Sequence, residues 1–308
     1  MERVIVTAGA PYIDIDAYAG CVAYAELLRL QGHNALAVST APRNESITSH
    51  LAGITEQFTE AYEPDEHDTY ALIDVSDPAF FDTFVDNNRG KTVIDHHTGF
   101  EEYWKDRIGA GSHIEFIGSA CTIVFEEWQR AGKLEKMRQS SAELLCAGII
   151  DNTLNFGAKI TTERDRSAFR RLFELARLDA NWVERYLTEC QQAIEGNVRK
   201  AVAGDSKVLH FRGLEKPVAL GQLVLWDARG FVQREAAIIQ DELSALEPSW
   251  AMNLISLKDK TSIIISESDT VRTWLSALLG ITFTASVARA DRLWLRKEII
   301  KADQKQQY

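Results

Sequence analysis

The sequence predicts an α/β protein in which a doubly wound, mainly parallel sheet is followed by a smaller α/β domain. Short β-branched runs alternate with helical patterns from residue 1 to about residue 188, as is typical of parallel sheets with helices on both faces. A polar stretch over 195–200 interrupts this alternation, which then restarts. A chain of 308 residues is long enough to form two hydrophobic cores. We therefore expect a first domain over 1–190 and a second over 197–308.

The first domain begins with a β-branched run and a small-residue segment that favours a helix. Together with later apolar runs, this pattern predicts four strands, at Val4 to Thr7, Ala35 to Ser39, Tyr70 to Asp74 and Thr92 to Ile94. Helical patterns alternate with these strands at Ala17 to Gln31, Phe80 to Asn87 and Thr122 to Ala131. Helices then dominate from Ser141 to about Gly196, and the clearest spans Glu163 to Ala176.

The second domain repeats the alternation of apolar runs and helical patterns. Four apolar runs predict strands at Lys207 to Phe211, Val218 to Leu225, Ala251 to Leu257 and Thr261 to Ser266. A helix is expected between the second and third of these strands, from Gln233 to Leu246. The pattern indicates a second sheet with its own helices.

The most informative feature of the sequence is a pair of histidines at the end of a predicted strand. The apolar run over 91–94 leads directly into Asp95, His96 and His97. Imidazole and carboxylate groups together suit a divalent cation, and a strand end holds such ligands more rigidly than a free loop. Taken alone, the triplet is equally compatible with histidines that form ordinary hydrogen bonds at a strand end.

Carboxylates also follow two other predicted strands. Asp14 and Asp16 come after the first strand, and Asp74 closes the strand that begins at Tyr70. Functional groups collect beyond the carboxyl ends of strands in open parallel sheets, so we expect these aspartates to converge with His96. Each aspartate taken singly is more often a helix N-cap or a loop residue. Together they would repel one another without a cation, which favours a metal site.

The order of these motifs resembles that of the DHH phosphoesterase superfamily. The motifs are Asp14-x-Asp16, Asp74 at a strand end, Asp95-His96-His97, the segment Gly118–Thr122 and the segment Ala147–Phe156. Within the superfamily, the chain most resembles the manganese-dependent family II inorganic pyrophosphatases and their exopolyphosphatase relatives. The segments Thr161–Arg166 and Leu295–Lys301 extend the resemblance over nearly the whole chain. It implies Mn²⁺ as the cofactor, with Mg²⁺ or Co²⁺ as alternatives.

The resemblance implies roles for the residues of the first three motifs. Asp14 is expected on one metal ion, Asp16 on a second ion, and Asp74 between the two. His96 is expected to bind the second ion and His97 to contact phosphate, so these five residues form the expected catalytic centre. In addition, Asp95 is expected to orient an imidazole from behind the ligands.

The sequence departs from the family pattern at two places. The family's histidine four residues before the first aspartate is Ala10 here, and a methyl group cannot bind a metal. His113 is a conceivable replacement, although its sequence context favours a surface loop. In the fourth motif, strict alignment to Thr153 places Asn152 where the family has a ligand aspartate, with Asp151 one residue early.

Asp151 and Asn152 are alternative candidates for that ligand position. Consecutive helical residues point about 100° apart, so both cannot face one metal from an unbroken helix. A carboxylate holds a transition metal better than a neutral amide oxygen does, which favours Asp151 as the fifth protein ligand. In the other reading, Asp151 caps the loop that follows, and the site has lost this ligand as well.

Basic residues of the second domain are expected to bind the substrate. The resemblance places Lys207, Arg296 and Lys297 on phosphate, where they would stabilise charge that develops on the leaving group. Closing of one domain on the other would bring them to the metals, so we expect the active site in the interdomain cleft. In the alternative reading, Arg296 and Lys297 belong to a solvated helix face. The neighbouring cations are Arg289, Arg292 and Lys301.

The expected activity is metal-dependent hydrolysis of a small phosphoanhydride or phosphoester, such as pyrophosphate or short polyphosphate. Two alternatives are a phosphodiesterase that acts on a small nucleotide and a phosphate- or nucleotide-binding protein with a degraded metal site. The glycine-rich C-terminal motif of the superfamily's nucleotide-cleaving branch is missing from the sequence, which favours pyrophosphate or polyphosphate.

Composition limits the class of protein and its partners. The net charge of −11 disfavours a groove for long nucleic acid, but it is compatible with a small phosphorylated substrate held by cations. We expect a cytoplasmic protein without a membrane partner, because the sequence shows neither a signal-peptide pattern nor a long apolar run. Four cysteines without close paired spacing indicate reduced thiols. A homodimer is one possible assembly.

Overall fold

The computed structural model describes residues 3–55 and 57–305. It divides into two compact units, Met1–Tyr186 and Leu187–Tyr308. Each unit has its own sheet, which confirms the predicted α/β fold class. Among the described residues, every helix is too short or too polar to cross a membrane.

The first unit is built on a parallel sheet of six strands. The strands are β1 Arg3–Thr7, β2 Asn34–Val38, β3 Phe58–Thr59, β4 Thr69–Ile73, β5 Gly90–Asp95 and β6 Ser112–Ile114. Their order across the sheet is β3-β2-β1-β4-β5-β6, and each neighbouring pair is parallel. The carboxyl ends of β1, β4 and β5 are therefore adjacent at one edge of the sheet.

Helices connect and cover these strands. They are α1 Ile15–Leu30, α2 Ser49–Gly53, α3 Glu101–Ile108, α4 Ala120–Arg130, α5 Gln139–Asn152, α6 Glu163–Ala176 and α7 Trp182–Gly196. The division between the two units falls within α7. Helix α1 is buried around almost its whole circumference, and this explains why Ala, Gly and Cys predominate in its first half.

The predicted helix at Phe80–Asn87 is wrong. Short 3₁₀ turns lie at Pro78–Phe80 and Asn87–Arg89, and the intervening chain is irregular. Two aromatic side chains account for this difference, because Phe81 packs against Trp104 and Phe84 packs against Tyr62 in the core. The packing therefore overrides the local helical pattern.

The second unit contains a mixed sheet of six strands. They are β7 Ser206–Leu209, β8 Val218–Leu225, β9 Trp250–Ser256, β10 Thr261–Ile265, β11 Phe283–Thr284 and β12 Val287–Ala290. The order is β11-β12-β10-β9-β8-β7, with β8 and β9 parallel and the other pairs antiparallel. The helices are α8 Val198–Gly204, α9 Phe231–Leu246, α10 Asp269–Leu279 and α11 Arg296–Lys305.

Two hydrophobic clusters lie on opposite faces of this second sheet. Leu223 and Leu225 of β8 pack with Phe231 and Leu243 of α9 in one cluster. Leu220, which points to the other face, packs with a second cluster that includes residues of α10 and α11. The second unit therefore has its own core on both faces of the sheet.

Candidate metal centre

Three predicted site residues meet at the carboxyl ends of β4 and β5. One ligand atom each from Asp74, His96 and His97 lies within 4.8 Å of the other two. Asp74 directly follows β4, and the two histidines directly follow β5, which pairs with β4 in the sheet. Strand pairing thus brings together residues that are about twenty positions apart in the chain.

Asp74 carries a buried carboxylate oxygen that accepts no hydrogen bond from the described residues. Its side chain is 8% exposed, and Oδ1 lies 3.4 Å from His96 Nε2 and 3.6 Å from His97 Nδ1. Burial raises the pKa of Asp74 well above its ordinary value, and the nearby carboxylates of Asp16 and Asp14 raise it further. Its backbone has φ of 60°, a left-handed conformation that is costly for a residue other than glycine. A strained, buried and unpaired carboxylate at this position is typical of a cation ligand.

His96 is oriented so that one ring nitrogen faces Asp74. The ring is 7% exposed, and its Nδ1 lies 3.0 Å from the backbone oxygen of Ile117. Because a carbonyl oxygen only accepts, Nδ1 must carry the proton and donate it. In the neutral ring, Nε2 then presents its lone pair towards Asp74, which is the arrangement of a metal-binding histidine.

His97 lies at the surface of the site and is held by Asp95. Its side chain is 65% exposed, and its Nδ1 lies 2.9 Å from Asp95 Oδ1. The hydrogen bond to Asp95 raises the pKa of His97, and the charges of Asp95, Asp16 and Asp14 add to this effect against the opposing effect of burial. An exposed imidazole with a raised pKa can contact an anion as a cation.

Asp95 supports both histidines from beneath the site. It is fully buried, and its Oδ1 accepts from the backbone N–H groups of His96 and His97 at 2.7 and 3.0 Å. Burial alone would raise its pKa, but the hydrogen bonds and charge of His97 outweigh burial and lower it. The contact with Asp95 therefore fixes the orientation of the His97 ring, and a role for Asp95 behind metal ligands stays a prediction.

Asp14 is the N-cap of α1. Its carboxylate accepts from the backbone N–H of Ala17 at 3.1 Å, which satisfies one free donor of the helix. Burial raises the pKa of Asp14, and the charge of Asp16 raises it further, against the opposing effects of this hydrogen bond and the two histidines. Asp14 is thus close enough to Asp16 and the histidines to interact electrostatically with them.

Asp16 is almost fully buried and accepts four hydrogen bonds. Its Oδ1 accepts from Ser119 Oγ at 2.6 Å and from the backbone N–H of Cys121 at 2.9 Å. Its Oδ2 accepts from the backbone N–H of Ala120 at 2.9 Å and from the side-chain amide of Asn152. The N-terminus of α4 therefore holds this carboxylate with its free N–H groups and its positive dipole end.

Asn152, rather than Asp151, faces Asp16 at the end of α5. Helix α5 can lie this close to α1 because residue 148 is glycine: a Cβ there would lie 2.5 Å from Cys121 Sγ and 3.2 Å from Asp16 Oδ1. Asp151 instead accepts a hydrogen bond from the Tyr186 hydroxyl at 3.2 Å. Whether Asp151 binds a metal stays a prediction.

Burial raises the pKa of Asp151 from its ordinary value of 3.8 to about 7, and the charges of Asp14 and Asp16 add to this effect. The folded state therefore binds this proton more tightly than the unfolded state does. In metal-free protein, we expect the free energy of unfolding to fall by roughly 2–4 kcal/mol from this group as pH rises from about 4 to 7. Asp151→Asn removes this contribution and keeps an acceptor for Tyr186. Urea unfolding in chelator at several pH values measures the difference, and parallel pH profiles for the two proteins would contradict the prediction.

Two other residues considered from the sequence lie elsewhere. Ala10 uses its backbone N–H to donate to Phe80 at 2.8 Å, and its side chain contains no ligand atom. His113 belongs to β6 rather than to a loop, and its Nδ1 lies 3.3 Å from Glu127 Oε1. This contact with Glu127 and the pairing of β6 with β5 account for the position of His113.

The predicted substrate residues of the second unit cluster in part. The guanidinium of Arg296 donates to the backbone oxygen of Asp205 at 2.7 Å and also to the Asp205 carboxylate. Burial raises the pKa of Asp205, against the charges of Arg296 and Lys207, so both cations lie near this carboxylate. Lys207 and Lys297 are exposed, whereas the Arg296 side chain is 14% exposed.

Sequence reasoning missed two residues that organise the centre. Ser119 is the N-cap of α4 and donates to Asp16. Asp165 is fully buried and accepts from Gly118 N at 3.2 Å and from Thr122 Oγ1 at 2.6 Å, which ties α6 to the start of α4. The signal for Asp165 was a capping box, in which Thr162 caps α6 and Asp165 occupies the third helical position.

The donor set of this centre fits a divalent cation. Asp74 Oδ1 is unpaired, His96 Nε2 faces it, and Asp14 and Asp16 add negative charge nearby. Imidazole nitrogen and carboxylate oxygen together suit Mn²⁺ and related ions. A cation would supply the positive charge that these buried carboxylates lack.

Sequences similar to this chain are named probable manganese-dependent inorganic pyrophosphatases. The protein of Clostridium acetobutylicum is 24% identical over 247 residues, which cover 75% of this chain and 73% of that protein. A Bacillus cereus protein is 29% identical over 184 residues, which cover 59% of this chain and 58% of that protein. The match thus covers little more than half of the Bacillus relative. No protein-family model matches the chain.

Two crystal structures share the fold over nearly the whole chain. A Methanococcus jannaschii protein assigned to the family II inorganic pyrophosphatases is 19% identical, with a TM-score of 0.64, and the match covers 99% of this chain and 100% of that one. An exopolyphosphatase-related protein from Bacteroides fragilis is 13% identical, with a TM-score of 0.55 and coverage of 98% and 91%. At these identities the structures show the fold alone. The related sequences confirm the predicted resemblance to the manganese-dependent inorganic pyrophosphatases.

Proposed function

We propose that this chain, a relative of the manganese-dependent inorganic pyrophosphatases, is a divalent-metal-dependent phosphohydrolase. The observation that carries the proposal is the buried Asp74 Oδ1, which has no hydrogen-bond partner in the described part of the chain and lies 3.4 Å from His96 Nε2. A carboxylate in that position stays ionised only when a positive charge lies beside it. The names of the related proteins support manganese as that cation and phosphoanhydride hydrolysis as the reaction.

Asp74 and His96 would hold the cation, with Asp14 close by. When bound, a divalent cation neutralises charge on phosphate oxygens and activates water for attack at phosphorus. Ile117 fixes the His96 ring through its backbone oxygen, so that Nε2 keeps its orientation. His97, exposed and held by Asp95, would donate its Nε2 proton to a phosphate oxygen.

We propose pyrophosphate or a short polyphosphate as the substrate. These anions are small and densely charged, and they need a cation and a few basic groups rather than an extended binding surface. Lys207, Arg296 and Lys297 of the second domain are proposed to supply those groups. The resemblance of the C-terminal segment Leu295–Lys301 to the basic motif of the family supports this assignment.

The test is metal analysis of the purified protein, combined with phosphate release from pyrophosphate, tripolyphosphate and a dinucleotide. We expect bound manganese and release of phosphate from the first two substrates. Cleavage of the dinucleotide alone would replace the proposed substrate by a phosphodiester. Protein that binds manganese and releases no phosphate from any of the three would overturn the proposed activity.

A second candidate function is phosphate or nucleotide binding without efficient turnover. Ala10 and the amide of Asn152 favour it, because neither provides the anionic or imidazole ligand found at the matching family position. Calorimetric binding of pyrophosphate by protein that fails to hydrolyse it would identify this function.

Arg296→Ala tests the proposed phosphate contact in the second domain. We expect a higher KM and a lower kcat for pyrophosphate, because a group that contacts phosphate acts in both the ground state and the transition state. The control is Arg292→Ala, which removes a cation that donates to Glu298 and lies over the Trp294 ring. Urea unfolding of both variants separates loss of the Asp205 contact from loss of substrate binding. Equal kinetic effects of the two substitutions would contradict a specific role for Arg296.

A further inference from the structure

We infer that the centre holds one divalent cation, at Asp74 and His96, and that the Asn152 amide takes the place of a second cation at Asp16. This inference rests on the proposed function, since it concerns the same metal site. On this inference, Asp74 is a cation ligand, whereas Asp16 is satisfied by hydrogen bonds from the protein.

The hydrogen bonds of Asp16 leave no lone pair for a metal ion. An ionised carboxylate has about four acceptor positions, two on each oxygen. Asp16 Oδ1 accepts from Ser119 and Cys121, and its Oδ2 accepts from Ala120 and Asn152. A cation could bind Asp16 only after one of these donors had moved away, and three of them belong to the first turn of α4 and its cap.

Asn152 is the donor that replaces a charge. A carboxylate only accepts, so the amide nitrogen and not the amide oxygen must face Asp16. The amide therefore presents N–H groups with partial positive charge to Asp16. Because the amide nitrogen faces Asp16, the Asn152 side chain does not present its oxygen there as a metal ligand.

The backbone after α5 supports this position of Asn152. Leu154, Asn155 and Phe156 are three consecutive residues with φ of 51°, 51° and 60°, a left-handed run that ordinary side chains adopt at a cost. The run is held by hydrogen bonds from Asn155 to Ile150 and from Ala158 to Thr153, at 2.8 and 2.9 Å. Helix α5 thus ends directly after Asn152, and its last turn is fixed against Asp16.

Asp74 presents the opposite situation. Its Oδ1 is buried without a hydrogen-bond partner and faces the free nitrogen of His96. Ala10 adds no ligand, and its backbone N–H is engaged with Phe80. Asp74 Oδ1 and His96 Nε2 are therefore available to one cation, and His96 Nε2 also lies 3.9 Å from Asp16 Oδ2.

The test is the manganese content of the wild-type protein and of Asn152→Asp after equilibrium dialysis at saturating manganese, with the electron paramagnetic resonance spectrum of each. We expect one ion per chain and the spectrum of an isolated Mn²⁺ in the wild-type protein. In Asn152→Asp, two carboxylates face each other, and we expect a second ion per chain and a spectrum broadened by coupling between the ions. Asn155→Asp is the matched control, because it adds the same charge three residues further along the chain, beyond the end of α5; it should keep one ion.

Two ions in the wild-type protein would overturn the inference without affecting the proposed activity. An unchanged single ion in Asn152→Asp, or a second ion in Asn155→Asp, would show that the Asn152 amide is not what excludes the second cation. One ion in the wild-type protein, with no phosphate release from any substrate, would instead remove the proposed function and leave the inference standing. Protein that retains no manganese would overturn both.

Discussion

Replacing Asp74 by asparagine should remove bound manganese and phosphohydrolase activity while the fold is retained. Asp74 is the proposed central ligand, and none of the described residues donates to its Oδ1 a hydrogen bond that could compensate for loss of the cation. Substitutions of residues that merely orient metal ligands cost roughly 10–100-fold, so we expect activity to fall by more than about 100-fold. Metal analysis and phosphate release from pyrophosphate are the measurements.

The same substitution should leave the metal-free protein at least as stable as the wild type. Asparagine tolerates the left-handed backbone of residue 74 better than most side chains, and its neutral amide removes repulsion from Asp14 and Asp16. Urea unfolding in chelator should therefore give an equal or higher free energy of unfolding for Asp74→Asn. Unchanged manganese content, or a variant that is less stable than wild type without metal, would contradict the assignment of Asp74 as a cation ligand.

The strand-end part of the site was predictable because strand pairing determines it. Once β4 and β5 are recognised as parallel neighbours, Asp74 and His96 must lie at the same edge of the sheet. Their chemistry could then be derived from residue types alone. The position of Asp14 and Asp16 after β1 follows in the same way, because β1 is the other neighbour of β4.

The helical part of the site was harder to predict because it depends on rotation and close packing. Whether Asp151 or Asn152 faces Asp16 is determined by how α5 sits against α1, and that contact depends on the absence of a side chain at Gly148. A periodic pattern gives the face of a helix to within about one residue, which does not separate two adjacent candidates. The hydrogen bonds of Asp16 to the start of α4 likewise join residues more than a hundred positions apart.

Errors in the predicted fold have a similar origin. The segment Phe80–Asn87 carries aromatic residues at spacings that suit a helix, but Phe81 and Phe84 bury their rings against different parts of the core. His113 was assigned to a loop because it follows a glycine-rich stretch, yet residue 112 starts the edge strand β6. These residues form a short strand because they pair with β5, and their own sequence does not predict a strand.

Asp16→Asn should destabilise the metal-free protein, in contrast to the same substitution at Asp74. Asp16 is buried and accepts hydrogen bonds from Ser119, Ala120, Cys121 and Asn152. An amide nitrogen in place of one carboxylate oxygen cannot accept, so the donors that bind that oxygen lose their acceptor. Each buried donor without an acceptor costs roughly 1–3 kcal/mol, and we expect a loss of about 3 kcal/mol or more in the free energy of unfolding. Urea unfolding in chelator measures this loss.

Asp14→Asn is the matched control for both substitutions, since it makes the identical chemical change in the same cluster. Asp14 accepts one backbone hydrogen bond as the N-cap of α1, and asparagine caps helices about as well as aspartate does. We therefore expect little loss at position 14, a loss at position 16 and a gain or no change at position 74. This order follows from the number of hydrogen-bond donors that each carboxylate satisfies. A carboxylate that accepts hydrogen bonds from the protein stabilises the fold, whereas a carboxylate without such donors stabilises only the metal-bound state. Equal effects of the three substitutions would show that the carboxylates share one role, and the division between a structural Asp16 and a metal-binding Asp74 would then fail.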